Sequence, residues 1–213
     1  MSDGNQTLVM LRNAVVVLLF GAMGVGAFMW QSSRPPTLPE VEQAYVIDPA
    51  RSIKWSELIA HDETVYTPEN LLGKWSYLYM GYRSCPDACP TALGVLSKVS
   101  KQLSALNLKD EQKPQFLFLS VDPRRDTPKL LAEYVQFFGE DFIGVTGDNI
   151  QLKAVALQLG GLFYVPEAPE TDAYEVGHSD SIYLMNPAGK LRLISRPPHD
   201  AEIIVRNHLE IID

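Results

Sequence analysis

The stretch GYRSCPDACPTALG, residues Gly81–Gly94, contains both cysteines of the 213-residue chain, Cys85 and Cys89, and a proline follows each of them. The residues WSYLYMGY (75–82) are aromatic and β-prone, which predicts a buried strand. A helix is predicted next, because apolar side chains recur at helical spacing at Leu93, Leu96, Val99 and Leu103. The cysteines therefore lie between a strand and a helix, where α/β folds place their chemistry.

Strand and helix patterns alternate along the rest of the chain. Strands are predicted at QFLFLSV (115–121) and FIGVTG (142–147), helices at KLLAEYVQFFG (129–139) and NIQLKAVALQLGG (149–161), a hairpin at 180–195 and a last helix at 200–212. Thr127, Pro128 and Asp200 suit helix starts, and Gly139 and Gly160 suit helix ends. This order predicts an α/β domain with a mixed sheet and helices on both faces.

Composition and charge exclude some classes of function. The chain is 46% hydrophobic and 21% charged, as expected for a globular protein with one good core. Its net charge of −8 argues against a nucleic-acid partner, since a surface that follows phosphates is normally basic. Two cysteines do not make a disulfide framework, so they are expected to act as a pair.

The N-terminal part differs from the rest. After a short tail, residues 1–12, an uncharged stretch covers residues 13–33, and its apolar run is close to the minimum for a hydrocarbon core of about 30 Å. We expect a transmembrane anchor there; a cleaved signal peptide and a buried core helix are the alternatives. Three prolines in RPPTLPE then indicate an extended linker, residues 34–44, before a domain at 45–213.

The spacing of the cysteines leaves several kinds of chemistry open. Pro90 suits the first position of the helix, which would put Cys89 near its N-cap, where a thiolate is stabilised. Side chains four residues apart on a helix lie on one side, with Cβ atoms about 5–6 Å apart. Such a pair could form a disulfide, exchange disulfides or bind a soft metal ion, and a chance pair of core residues is the simplest alternative.

A metal site would need a third ligand, and the chain offers four histidines. His208 lies in the last helix and is expected to be a surface or packing residue, while His61 and His199 lie in polar loops and are expected to be solvated. His178 precedes a buried strand, from which a loop could reach the cysteines. It is therefore the candidate ligand, with an ordinary loop histidine as the alternative.

Three segments in this order, CPDACP (85–90), SVDPRRDTP (120–128) and HSDSIYLMNPAGK (178–190), resemble the Sco (SenC/PrrC) family of copper chaperones. The resemblance covers roughly Trp75 to the C-terminus. It implies a thioredoxin-like fold that binds one copper ion, Cu(I) or Cu(II), through Cys85, Cys89 and His178. It also implies a role in building the dinuclear copper centre of cytochrome c oxidase, rather than an enzyme activity.

The resemblance implies further residues and partners. Asp87, Asp122 and Asp126 match acidic positions of the family and are expected to support the site or the fold; Asp126 could equally cap a helix. The expected partners are the copper-centre subunit of the oxidase and another copper chaperone or a thiol reductant. The expected location is the inner membrane, with the domain on the periplasmic or an equivalent exported side.

Two alternatives to a copper chaperone remain. In a thiol–disulfide oxidoreductase that keeps partner cysteines reduced, Cys85 would attack and Cys89 would resolve, although CxxxC is longer than the usual redox motif. A peroxide-reducing enzyme would need an arginine arrangement that the sequence does not indicate.

Three positions depart from the family pattern. Gly177 stands where the family usually has an aspartate before its histidine, and Arg83 and Ser84 replace a threonine and a histidine or aromatic residue. The lost carboxylate and the added positive charge are expected to weaken the binding of a dipositive ion or to shift its potential.

Overall fold

A computed structural model describes residues 38–55, 57–166, 171 and 173–212, together with residues 21, 23–26 and 29. The chain divides into two units, Met1–Leu38 and Pro39–Asp213. Within the described residues, no helix is both long and apolar enough to cross a membrane. Most of the predicted anchor, and all of the predicted tail, lie outside the described residues.

The described part of the second unit forms ten strands. They are β1 (Ala44–Ser52), β2 (Leu58–Ala60), β3 (Val65–Tyr66), β4 (Ser76–Gly81), β5 (Gln115–Ser120), β6 (Phe142–Thr146), β7 (Phe163–Tyr164), β8 (Gly177–His178), β9 (Ile182–Met185) and β10 (Lys190–Ser195). Eight of them make a sheet in the order β1-β10-β9-β4-β5-β6-β2-β3, while β7 and β8 pair separately. The central strands β4, β5 and β6 are parallel and the outer pairs are antiparallel, so the predicted mixed sheet is confirmed.

Helices cover both faces of the sheet, as predicted. They are α1 (Ala88–Ser104), α2 (Pro128–Gln136), α3 (Asn149–Leu159) and α4 (Ala201–Ile212). Side chains of α1, α2 and α4 share one core with Tyr77, Tyr79 and Phe118, while most of the buried side chains of α3 pack in the other with Leu78 and Leu117. Because both faces of β4 and β5 are buried, these strands read as nearly continuous apolar runs.

Several helix boundaries follow from local chemistry. The Thr127 side chain accepts a hydrogen bond from the amide of Leu130, and Pro128 occupies the first turn of α2. Gly160 ends α3 with a φ of 81°, a backbone conformation that favours glycine. The predicted end of α2 at Gly139 is wrong, since the helix ends at Gln136 and its last turn tightens through a bond from the amide of Phe137.

The topology brings distant segments to one edge of the sheet. Strand β9 runs antiparallel to β4, with Tyr79 opposite Ile182. The residues that precede β9 therefore lie beside the carboxyl end of β4, where the cysteine segment begins. This arrangement places β8 next to the cysteines.

Candidate metal centre

The side chains of Cys85, Cys89 and His178 meet at the carboxyl end of β4. Their sulfur and nitrogen donor atoms all lie within 4.8 Å of one another, and both cysteines are free thiols. The Sγ atom of Cys89 is 3.4 Å from Nε2 of His178, and Sγ of Cys85 accepts a hydrogen bond of 3.3 Å from the amide of Cys89. Two sulfurs and one imidazole at such distances can close around one soft metal ion.

The first turn of α1 differs from its prediction. The helix begins at Ala88 with Asp87 as N-cap, so Pro90 lies at the third helical position and not at the first. Cys89 consequently lies inside the first turn, and Cys85 lies in the turn before it. Asp87 is exposed and its carboxylate accepts a hydrogen bond of 3.3 Å from the Thr91 hydroxyl, which places it outside the donor cluster.

Gly81 allows the Cys89 sulfur to approach the sheet. A Cβ atom at Gly81 would lie 2.5 Å from Sγ of Cys89, which is closer than real Cβ atoms approach, and 3.0 Å from the Phe118 ring, which is tighter than most Cβ contacts. The last residue of β4 must therefore be a glycine for Cys89 to keep this position.

Burial controls the ionisation of Cys89. The residue has no solvent exposure, and this burial raises the pKa of its thiol far above the ordinary value. The predicted stabilisation of a Cys89 thiolate is therefore wrong for the metal-free protein, because desolvation is the largest influence on this thiol and favours its neutral form. A bound metal ion would displace the proton from this thiol.

His178 lies on β8 with its two ring nitrogens in different environments. Nδ1 is 3.2 Å from the carbonyl oxygen of Ser179, and Nε2 faces Cys89. The tautomer that satisfies the Ser179 contact carries its proton on Nδ1 and leaves the Nε2 lone pair for a metal ion. The rings of Tyr79 and Tyr82 meet the imidazole edge-on, with centroids 6.0 and 5.9 Å away.

Asp122 and Asp126 lie in the loop between β5 and α2, and both are buried. Asp126 accepts hydrogen bonds from the Ser120 hydroxyl, at 2.6 Å, and from the backbone amide of Arg83, at 2.8 Å. Burial raises the pKa of Asp126 above its ordinary value. The capping residue of α2 is Thr127, so Asp126 acts instead on the segment that leads to Cys85.

The two departures with the clearest electrostatic meaning, Arg83 and Gly177, leave the donor cluster intact. The Nε atom of Arg83 lies 3.8 Å from the carboxylate of Asp126, so its positive charge faces a carboxylate. Gly177 is exposed, and a Cβ atom there would meet nothing within 4 Å. A larger side chain could therefore occupy this position beside His178.

The other three histidines have partners outside the donor cluster. His208 is fully buried between the Tyr77 hydroxyl, at 3.1 Å, and the carbonyl of Gln112, at 2.9 Å, which confirms its packing role. His61 accepts a hydrogen bond of 2.9 Å from the amide of Gly144 through Nδ1 while it stays partly exposed, so its predicted solvation holds only in part. The prediction for His199 is wrong, because its side chain is only 6% exposed.

Asp180 is a neighbour of the site that the sequence patterns did not single out. Its carboxylate accepts a hydrogen bond of 2.6 Å from the Tyr79 hydroxyl, and its backbone carbonyl lies 3.1 Å from Nε2 of His199. Burial alone would raise the pKa of Asp180, but the His199 imidazole, whose Nε2 lies 3.8 Å from the carboxylate, and the hydrogen bond from Tyr79 outweigh it and hold that pKa below its ordinary value. The sequence feature that could have indicated Asp180 is its position two residues after the candidate ligand His178.

Comparison with known proteins gives one family. Residues 48–213 match the sequence model of the SCO1/SenC family. Protein SCO2, mitochondrial, from Saccharomyces cerevisiae is 42% identical over 127 residues, which are 59% of this chain and 41% of the yeast protein.

Two solved structures share the fold. The crystal structure of Arabidopsis thaliana ScoI with copper bound has a TM-score of 0.66 and 33% identity, covering 73% of this chain and 95% of that one. The crystal structure of yeast Sco1 with copper bound has a TM-score of 0.69 and 31% identity, and the match covers 76% of this chain and 88% of the yeast chain. The thioredoxin-like architecture implied by the sequence resemblance is thus confirmed, and the chain belongs to the SCO1/SenC family.

Proposed function

We propose that this protein binds one copper ion through Cys85, Cys89 and His178 and hands it to a partner during assembly of a copper enzyme. The observation that carries the proposal is the convergence of these three donor atoms within 4.8 Å, from segments far apart in the chain. Thiolate and imidazole are ligands that copper prefers, and sulfur favours Cu(I) over Cu(II). The copper-bound crystal structures of two relatives support the same metal.

Exposure at the site suits transfer of the ion. Cys89 is buried, whereas Cys85 and His178 are both partly exposed. A partner's ligands could therefore approach from the side of Cys85 and His178 while Cys89 still holds the ion. Release in steps avoids a free ion, because each incoming ligand replaces one that leaves.

The proposed partner is the copper-centre subunit of cytochrome c oxidase, whose dinuclear centre would receive the ion, with another copper chaperone or a thiol reductant acting upstream. Family membership supports this role, and the relative in yeast is a mitochondrial protein. The proposed location is the inner membrane, with residues 13–33 as a single anchor and the domain on the periplasmic or an equivalent exported side. The apolar character of the N-terminal segment supports this placement.

Copper titration of the full-length chain tests the three-ligand site. The reduced protein is titrated with Cu(II), and absorption and EPR spectra are recorded for the wild type and for Cys85→Ser, Cys89→Ser and His178→Ala. We expect a thiolate-to-copper charge-transfer band that saturates at one ion per chain, and we expect each substitution to abolish tight stoichiometric binding. Full binding without His178 would refute the three-ligand site.

A second candidate function is reduction of a partner disulfide, favoured by the contrast between partly exposed Cys85 and buried Cys89. The Cys85 thiolate would attack one partner sulfur, forming a mixed disulfide and releasing the other partner sulfur as a thiolate. Cys89, after losing its proton, would attack Cys85 and release the second thiolate, so that the partner gains the two electrons that this chain loses. Fast reduction of a disulfide substrate without a copper band would favour this function.

A further inference from the structure

The loop between β5 and α2, residues 121–127, contacts both halves of the proposed copper site. On one side, the Asp126 carboxylate accepts the backbone amide of Arg83, two residues before Cys85. The amide of Cys85 in turn donates to the carbonyl of Tyr82, which closes the turn that carries the first sulfur. One carboxylate of the loop thus fixes the cysteine segment.

On its other side, the loop holds the segment that leads to His178 through Arg125. The guanidinium lies 3.5 Å from the centroid of the Tyr174 ring, and its Nη1 donates to the Tyr174 carbonyl at 2.9 Å. Its Nε forms an ion pair with Asp122, and the Tyr174 hydroxyl donates to the other oxygen of that carboxylate at 2.7 Å. These contacts link Arg125, Asp122 and Tyr174 in a closed ring, which we call the arginine clamp.

The arginine clamp reaches His178 along two routes. Tyr174 is followed by buried Val176, by Gly177 and by His178 itself, so the clamp fixes the start of the short segment that carries the imidazole. The same guanidinium lies 5.4 Å from the Tyr82 ring, whose centroid is 5.9 Å from the imidazole. Backbone and ring contacts together restrict where the imidazole can lie.

The arginine clamp is buried, and its contacts depend on the planar shape of the guanidinium. Asp122 is fully buried and the Arg125 side chain is 11% exposed. A planar guanidinium that stacks on a ring while bonding a carboxylate and a carbonyl cannot be replaced by a lysine, which has one charged nitrogen and no plane. The clamp joins loop residues rather than strands of the sheet. Its main effect is therefore to fix the position of the loop that leads to β8.

We propose that Arg125 is a positioning residue of the copper site: through Asp122 and Tyr174 it holds His178 at the distance from the two sulfurs that a copper ion requires. This inference rests on the proposed function, because it concerns the geometry of the same three ligands. It adds Arg125 and Tyr174, neither of which supplies a donor atom, to the residues that determine metal affinity.

A double-mutant cycle tests the proposal on the full-length chain. Cu(I) affinity is measured by competition with a chromophoric chelator for wild type, Arg125→Lys, His178→Ala and the double variant; Cu(I) is used because sulfur favours it, so the two cysteines keep a weaker, measurable affinity where His178 is alanine. We expect Arg125→Lys to lower the affinity about tenfold, which is the usual cost of losing a residue that orients a ligand. Because Arg125 acts through His178, the same change should cost less than about twofold where His178 is already alanine.

Arg196→Lys is the matched control. The Arg196 guanidinium also stacks on a tyrosine, 4.6 Å from the centroid of Tyr45, but this pair lies at the β1–β10 edge of the sheet. We expect this variant to bind copper like the wild type. Tyr174→Phe removes one hydroxyl while keeping the stacked ring, and we expect a smaller loss, about fivefold or less. If Arg125→Lys fails to fold, the cycle with His178→Ala is run with Tyr174→Phe.

The outcomes separate this inference from the proposed function. A wild type that binds no copper, or a His178→Ala variant that binds normally, overturns the copper site and the positioning role with it. If His178→Ala loses affinity but Arg125→Lys and Tyr174→Phe do not, the site stands and the positioning role is wrong. An equal loss from Arg125→Lys in both backgrounds also overturns it, because a general structural defect would not depend on His178.

Discussion

Cys85 and Cys89 lie on one continuous strand–turn–helix segment, whereas His178 meets Cys89 from 89 residues further along the chain, on a two-stranded sheet. The cysteine half is positioned by the end of β4 and the start of α1, which are regular elements inside the main core. The histidine half is a short segment that contacts another loop through side chains, including the contact of Tyr174 with Arg125. We therefore expect substitutions that disturb packing to displace the two sulfurs. Substitutions that remove individual polar contacts should instead displace the imidazole.

The cysteine half should be most sensitive at Gly81. We expect Gly81→Ala to lower the free energy of unfolding by about 3 kcal/mol, the upper part of the range for overpacking, because the new methyl group meets Cys89 and Phe118 in a buried site. Displacement of the sulfur should also remove tight copper binding. Urea unfolding and copper titration of the same variant measure the two effects.

Gly94, in the interior of α1, offers the same substitution as a control. A Cβ atom there meets nothing within 4 Å, so Gly94→Ala should raise the free energy of unfolding by about 0.5–1 kcal/mol through helix propensity. If Gly81→Ala lowers the free energy of unfolding and Gly94→Ala raises it, the segment is sensitive to added volume at the contact with the Cys89 sulfur and not along its whole length. Equal and small effects would show that β4 can shift to accept a side chain.

The histidine half should depend on the hydroxyl of Tyr79, which donates to Asp180 two residues beyond His178. We expect Tyr79→Phe to lower the free energy of unfolding by about 2 kcal/mol, because a hydrogen bond to a charged, partly buried group is lost. Copper affinity should fall as well, since Asp180 helps to fix the chain after the ligand. Thermal or urea unfolding and chelator competition give both numbers.

Tyr77→Phe provides the comparison on the same strand. Its hydroxyl contacts the imidazole of His208, 3.1 Å away, and this histidine is outside the donor cluster. We expect a loss of about 1 kcal/mol in the free energy of unfolding and no change in copper affinity. If both variants weakened copper binding equally, β4 as a whole, and not the contact with Asp180, would be responsible.

The same contrast explains what could be predicted from the sequence. The cysteine half follows from local signals, namely the aromatic strand before it and the apolar spacing of α1, and its elements were predicted almost completely. Strand β1 was missed because Pro49 interrupts its pattern, which a position at the edge of the sheet tolerates. The contact of His61 with Gly144 and the burial of His199 beside Asp180 were not predicted, because these partners are distant in sequence and are brought close only by the fold.

The smallest effect on stability is expected at Gly177, because this position in the histidine half has room for a side chain, unlike Gly81 in the cysteine half. Because a side chain at this exposed position meets open space, Gly177→Asp should change the free energy of unfolding by less than about 0.5 kcal/mol. A carboxylate beside His178 is a harder ligand environment than sulfur, so Cu(II) affinity should rise relative to Cu(I) affinity. Separate titrations with the two ions, compared with Gly177→Asn as the uncharged control, measure this shift. An equal shift for Asn would assign the change to the backbone of β8, and an unchanged ratio in both variants would mean that position 177 does not sense the ion at all.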